Sequence, residues 1–183
     1  IVSGGVGVQG KIAVLEDVAT RLSEELALEL NLAKARYSDD EKFGMIGVII
    51  HEIGHNFFPM IVNSDERQWA WMDEGLTTFV QYLAEQEFGE KYPEIIAPLD
   101  KFPSDRGPAQ LITDYMSVDQ NFLAPIMSNP ENVYYLGPNA YGKPAAALNI
   151  LRETIMGKEL FDYAFKTYSQ RWMFKHPTPS QLP

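Results

Sequence analysis

One segment limits the architecture before any other: residues 38–59, SDDEKFGMIGVIIHEIGHNFFP. Ser38 and Glu41 have the spacing of a capping box, and Asp39 and Asp40 add negative charge to the same turn. The segment therefore predicts a helix from about 39 to 58, with Pro59 discouraging its continuation. Its second half is apolar except for two histidines and a glutamate. Residues four apart share a helix face, so His51 and His55 point the same way. Glu52, beside His51, can reach the same space without being a ligand. This is the HExxH arrangement, in which two imidazoles hold zinc and the glutamate serves as general base. The competing reading is a pair of core histidines with ordinary hydrogen bonds.

A catalytic zinc needs a third protein ligand and an open position for water. The chain has no cysteine, so that ligand must be His, Asp or Glu. Glu74 answers the requirement. It follows His55 after eighteen residues, at the start of a helix predicted over about 73–88 with Gly89 as its C′ residue. A helix end, a loop and an antiparallel return fit that gap. Asp73 is the rival carboxylate, and its preferred role is N-cap of the second helix. Asn56, Asp65 and Asp73 are available as partners for the outer ring nitrogens. His176 sits in a Pro-bounded tail and is expected to be structural or exposed.

The remaining pattern is also helical. Leu15, Val18, Leu22, Leu26 and Leu30 recur at spacings of three and four within 11–35. Residues 90–138, rich in Pro, Asn, Asp and Ser, predict short helical pieces at best. Further helices are expected over about 141–156 and across KELFDYAFKTYSQRWMF (158–174). No stretch alternates in the manner of a strand. The expectation is a mainly α protein with little or no β-sheet. It divides into a glycine-rich loop plus amphipathic helix (1–36) and one compact helical lobe (37–183).

Charge narrows the partners. The net charge is −10 and the basic residues are scattered, so neither nucleic acid nor anionic lipid finds a footprint. No apolar run approaches the roughly 18 residues of a membrane helix. GVGVQGKI (5–12) nearly matches a P-loop. Ile12 replaces the required hydroxyl, and only three residues precede the glycines where a strand is needed. Nucleotide binding is not expected.

HEIGH followed after eighteen residues by Glu74, within WMDEGLTTFVQYL, resembles the aminopeptidase N-like gluzincins, relatives of aminopeptidase N and leukotriene A hydrolase. Trp71, Glu74, Gly75 and Tyr82 match that family's W-x-x-E-G…E/Q-Y stretch. A later block, NAYGKPAAALNILRETIMG, resembles the family's Y-x-K-G segment, with Pro144 where Gly is usual. The resemblance covers about 37–179 and implies the helical part of a thermolysin-like catalytic domain. It implies one zinc ion on His51, His55 and Glu74. It implies Glu52 as general base and Tyr141 as oxyanion stabiliser, with Tyr134 and Tyr135 as weaker candidates. The implied reaction is hydrolysis of a peptide or protein substrate by metal-activated water. Residues 47–76 look closest to a Bacteroidetes-type branch, which suggests the bacterial periplasm or cell envelope.

Two departures shape the expected function. Nothing in residues 1–50 matches the family's G-x-M-E-N block, whose glutamate binds a free amino terminus. Exopeptidase specificity is therefore unsupported, and endopeptidase or broad peptide hydrolysis stays open. The residues ahead of the zinc helix read as helix where relatives carry a β-sheet lobe, and the chain stops where relatives continue. A fragment, an engineered minimal version or a rearranged protein is expected. The alternative function is a truncated lobe that binds zinc without turnover.

Overall fold

The computed structural model describes residues 38–93 and 108–182; the 11–35 helix and the glycine-rich loop lie outside them. A boundary between two compact units falls between Ile46 and Gly47. Every regular element among the described residues is helical, and the one β interaction there is an isolated parallel bridge between Val62 and Lys175. The mainly α expectation therefore holds among them. No helix there is long and apolar enough to cross a membrane.

Helix α1 spans Asp39–Gly54. Its start is the expected capping box: Glu41 N–H donates to Ser38 Oγ (3.3 Å), and Ser38 N–H donates to Glu41 Oε2 (2.8 Å). The α-helix stops four residues before the predicted end. A π-helical turn, Asn56–Ile61, follows, and Phe58 within it is extended (φ −126°, ψ 109°). Pro59 is the physical cause, because the residue before proline is pushed out of the helical region. The consequence is functional, since the Phe58 carbonyl is turned away from the helix ladder and left free to accept.

A second π-helical turn, Trp71–Gly75, opens α2 (Leu76–Lys91). Asp73 lies inside that turn and caps nothing, contrary to its expected role. Gly89 is not a C′ residue either. The helix passes through it to Lys91, and Tyr92 N–H closes on Phe88 O at 2.9 Å. Buried Phe88 and the Tyr92 ring pack 5.1 Å apart, holding that last turn in place.

Helix α3 (Pro108–Ser117) is a ten-residue element where only shorter pieces were expected. The expected 141–156 helix starts earlier, as a third π-helical turn (Pro138–Gly142), and continues as α4 (Lys143–Ile150). Helix α5 (Lys158–Trp172) follows Gly157, whose φ of +82° is a conformation glycine adopts without strain.

Within the second unit, Met72, Leu76 and Phe79 from the α2 segment, Leu148 from α4 and Phe161 from α5 form the core. Phe79 meets Phe161 and Phe165 edge-on at 5.4 and 5.5 Å, the geometry aromatic quadrupoles favour. Arg152 clamps Asp162 through Nε and Nη2 (2.7 and 2.9 Å), tying the segment after α4 to α5. The head of α2 lies against the segment that carries Tyr141, with Gly75 facing Ala140 and Pro144.

Candidate metal centre

Two imidazoles and one carboxylate converge between α1 and the start of α2. His51 Nε2 lies 3.1 Å from Glu74 Oε2, and His55 Nε2 lies 3.4 Å from the same oxygen. The histidine rings stand edge-on with centroids 4.7 Å apart. The three residues form a group able to hold a metal ion, with ligand atoms all within 4.8 Å of one another. Donor atoms each about 2.0–2.2 Å from a tetrahedral zinc ion lie roughly 3.3 Å apart, and two imidazoles with a carboxylate are a zinc donor set. The residues present therefore fit the ion.

The outer nitrogens are tethered, which leaves each Nε2 for the centre. His55 Nδ1 donates to the freed Phe58 carbonyl (2.9 Å). Buried Thr77 donates its hydroxyl to the same carbonyl at 2.9 Å. His51 Nδ1 lies 3.0 Å from Gln81 Oε1. Neither Gln81 nor the Phe58 carbonyl was among the expected partners. A backbone carbonyl is invisible in a side-chain pattern, whereas Gln81 was findable because it stands seven residues after Glu74 on the same helical face. Asn56 instead donates to Ile53 O, and Asp65 accepts from the backbone of Arg67 and Gln68. His176 is exposed, with Nδ1 3.2 Å from Asn63 O.

Asp73 is brought to the site without joining the donor set. Its Oδ1 is 2.9 Å from His55 Nδ1, yet it takes no hydrogen bond, because that nitrogen's proton serves Phe58 O. Burial and then the Glu74 charge push the Asp73 carboxyl up to about 7. Burial raises Glu74 too, but hydrogen bonds from His51 and Tyr141 outweigh it and leave the carboxyl below its ordinary value. Burial lowers His51, while hydrogen bonds to Glu74 and Gln81 more than reverse this.

Tyr141 reaches the same carboxylate. Its ring stacks on His51 (5.7 Å between centroids, 20° between planes), and its hydroxyl bonds Glu74. Burial and that bond raise its pKa well above the ordinary phenol value, so the hydroxyl keeps its proton. Tyr134 packs against Phe122 and Tyr135 instead. Glu52 is exposed beside His51 on α1.

Two glycines permit these approaches. A Cβ on Gly54 would meet Thr77 Cγ2 at 2.8 Å. A Cβ on Gly75 would meet Pro144 Cβ at 2.8 Å and Ala140 O at 2.9 Å, with Pro144 Cγ closer still. Gly75 thus lets the Glu74 turn lie directly against the turn that carries Tyr141.

A helical scaffold with HExxH and this three-residue donor set has the features of a zinc metallopeptidase. Comparison with protein families agrees: the Peptidase family M1 domain matches residues 12–182, and the chain belongs to that family. Searches of curated proteins and of solved structures returned no match.

Proposed function

We propose that the chain hydrolyses peptide bonds at a zinc ion held by His51, His55 and Glu74, with Glu52 as general base and Tyr141 as oxyanion donor. The carrying observation is the meeting of both Nε2 atoms and the Tyr141 hydroxyl at one Glu74 carboxylate. Zinc, when bound, supplies Lewis acidity and lowers the pKa of a water from 15.7 toward about 7. Glu52 takes the proton of the attacking water and passes it to the nitrogen of the leaving amine. Tyr141, protonated and partly exposed, turns its hydroxyl from Glu74 to the substrate oxygen as negative charge develops there.

The test pairs metal content with turnover. Zinc is counted per chain after dialysis, and cleavage is followed on a free-amine aminoacyl reporter and on an internally quenched peptide. About one zinc with cleavage is expected, and the preferred reporter separates exo- from endo-action. One zinc without cleavage of either would overturn the peptidase reading and leave a metal-binding lobe. No zinc would return both histidines to ordinary structural roles.

Tyr141→Phe keeps the ring stacked on His51 and removes only the hydroxyl. The expected result is a kcat lower by roughly 10²–10³-fold, the cost of losing one oxyanion donor. KM and zinc content should change little. A kcat within threefold of the parent would remove Tyr141 from the reaction.

A further inference from the structure

Tyr141 is carried by the π-helical turn Pro138–Gly142, and α4 begins at Lys143. The backbone stays helical through the join, with Gly142 at φ −70° and ψ −49°. Side chains two apart on such a path leave on different sides. Tyr141 goes toward the centre and stacks on His51. Lys143 goes to α3, where its Nζ stands over the Tyr115 ring, 4.9 Å from the centroid. Both residues of that pair are half-buried, so the contact is partly shielded from water. Lys143 has no part in the reaction as written above.

We propose that Lys143 is a positioning residue, whose cation–π contact with Tyr115 of α3 fixes the turn that aims the Tyr141 hydroxyl. The argument rests on how that turn is held. Ala140 and Pro144 lie against Gly75, which limits how closely the turn and the head of α2 approach. A steric stop of that kind does not fix the roll of the turn about its own axis. Roll is the motion that would swing the Tyr141 hydroxyl away from Glu74, because the side chain radiates from that axis. An attraction on a different side of the turn removes the freedom, and Lys143 over Tyr115 supplies it. A cation over an aromatic face gains strength as water is excluded, which suits a half-buried pair. Any roll of the turn would carry the ammonium off the ring, so the contact and the aim of Tyr141 are kept together.

The kinetic arm of the test rests on the oxyanion role proposed for Tyr141 above, whereas the spectroscopic arm does not. Lys143→Met keeps an unbranched apolar stem and removes the charge. Lys143→Arg keeps a cation for the ring face. In Lys143→Met, kcat on a cleaved peptide should fall roughly 10–100-fold, the scale of a misplacement of about 1 Å. KM should stay within about twofold, because the hydroxyl acts in the transition state. Lys143→Arg should recover kcat to within about threefold of the parent. Added to Tyr141→Phe, Lys143→Met should cost nothing further, since it acts through the hydroxyl already removed. Fluorine NMR of the chain carrying 3-fluorotyrosine reads the turn without turnover, the signal of position 141 being the one lost in Tyr141→Phe. That signal should be single and sharp in the parent and in Lys143→Arg. Lys143→Met should broaden or split it.

A parental kcat and a parental fluorine signal in Lys143→Met would overturn the proposal. So would an equal loss in Lys143→Arg with a parent-like melting curve, or a further loss when Lys143→Met is added to Tyr141→Phe. Should Lys143→Met fail to fold, Tyr115→Leu takes its place, and Tyr115→Phe, which keeps a ring face, takes that of Lys143→Arg. If Tyr141→Phe itself keeps the parental kcat, the oxyanion reading fails while the fluorine signal still judges the contact with Tyr115.

Discussion

Glu52→Gln is expected to lower kcat on a cleaved peptide by roughly 10²–10⁴-fold, the usual contribution of a positioned general base. The amide cannot take the proton of the attacking water. Zinc content should stay that of the parent, because Glu52 is not part of the donor group formed by His51, His55 and Glu74. Stability should move by less than about 0.5 kcal/mol, since the side chain is exposed and replaced by its isostere. The three readouts separate the possible roles. Loss of zinc together with activity would make Glu52 a ligand or a structural support. Activity within tenfold of the parent, with zinc intact, would sink its assignment as base.

Gly75→Ala is expected to cost both stability and turnover. The backbone at Gly75 is ordinary helix (φ −73°, ψ −41°), so alanine is not excluded by conformation. Helix propensity alone would favour alanine by about 0.8–1.0 kcal/mol. The added methyl, however, meets the Pro144 ring and the Ala140 carbonyl below 3.0 Å, and neither is the end of a flexible side chain. Overpacking of this kind costs about 1–3 kcal/mol, so the net change is destabilising. Ala140 and Pro144 flank Tyr141, and pushing them back draws its hydroxyl from Glu74. The variant should therefore show a lowered Tm and a kcat reduced toward that of Tyr141→Phe. Gly44→Ala is the matched control, because a methyl there has nothing within 4 Å and should raise Tm slightly. A Gly75→Ala enzyme with parental Tm and kcat would show that the two turns have room to part.

The centre was legible in the sequence to different depths. His51 and His55 on one helix face follow from helical spacing alone. Glu74 was expected because a zinc site needs a third ligand, and Tyr141 through family resemblance; the structure brings both beside the histidines. The partners that orient the imidazoles were not found. Phe58 offers a backbone carbonyl, which has no residue-type signature. Gln81 stands at the E/Q position of the family stretch, but the resemblance attached no role to it. Asp73 read as a cap because it precedes a helical pattern, yet the π-helical turn takes it inside and buries it beside His55. Helix ends were misplaced at Phe58 and Gly89 for a related reason. At Phe58 the strain of Pro59 acts early, and at Gly89 the packing of Phe88 on Tyr92 overrides a residue that usually terminates helices.

The sequence by itself determined what local geometry settles: the capped α1 helix and the two histidines one turn apart. Each depends on 3.6 residues per turn and on neighbours within one turn. Only the tertiary structure decided which oxygen of which carboxylate meets both Nε2 atoms. It also decided that Tyr141 lies over His51, and that Gln81 shows its oxygen rather than its nitrogen to the ring. Those outcomes depend on how closely two segments approach, which Gly54 and Gly75 permit.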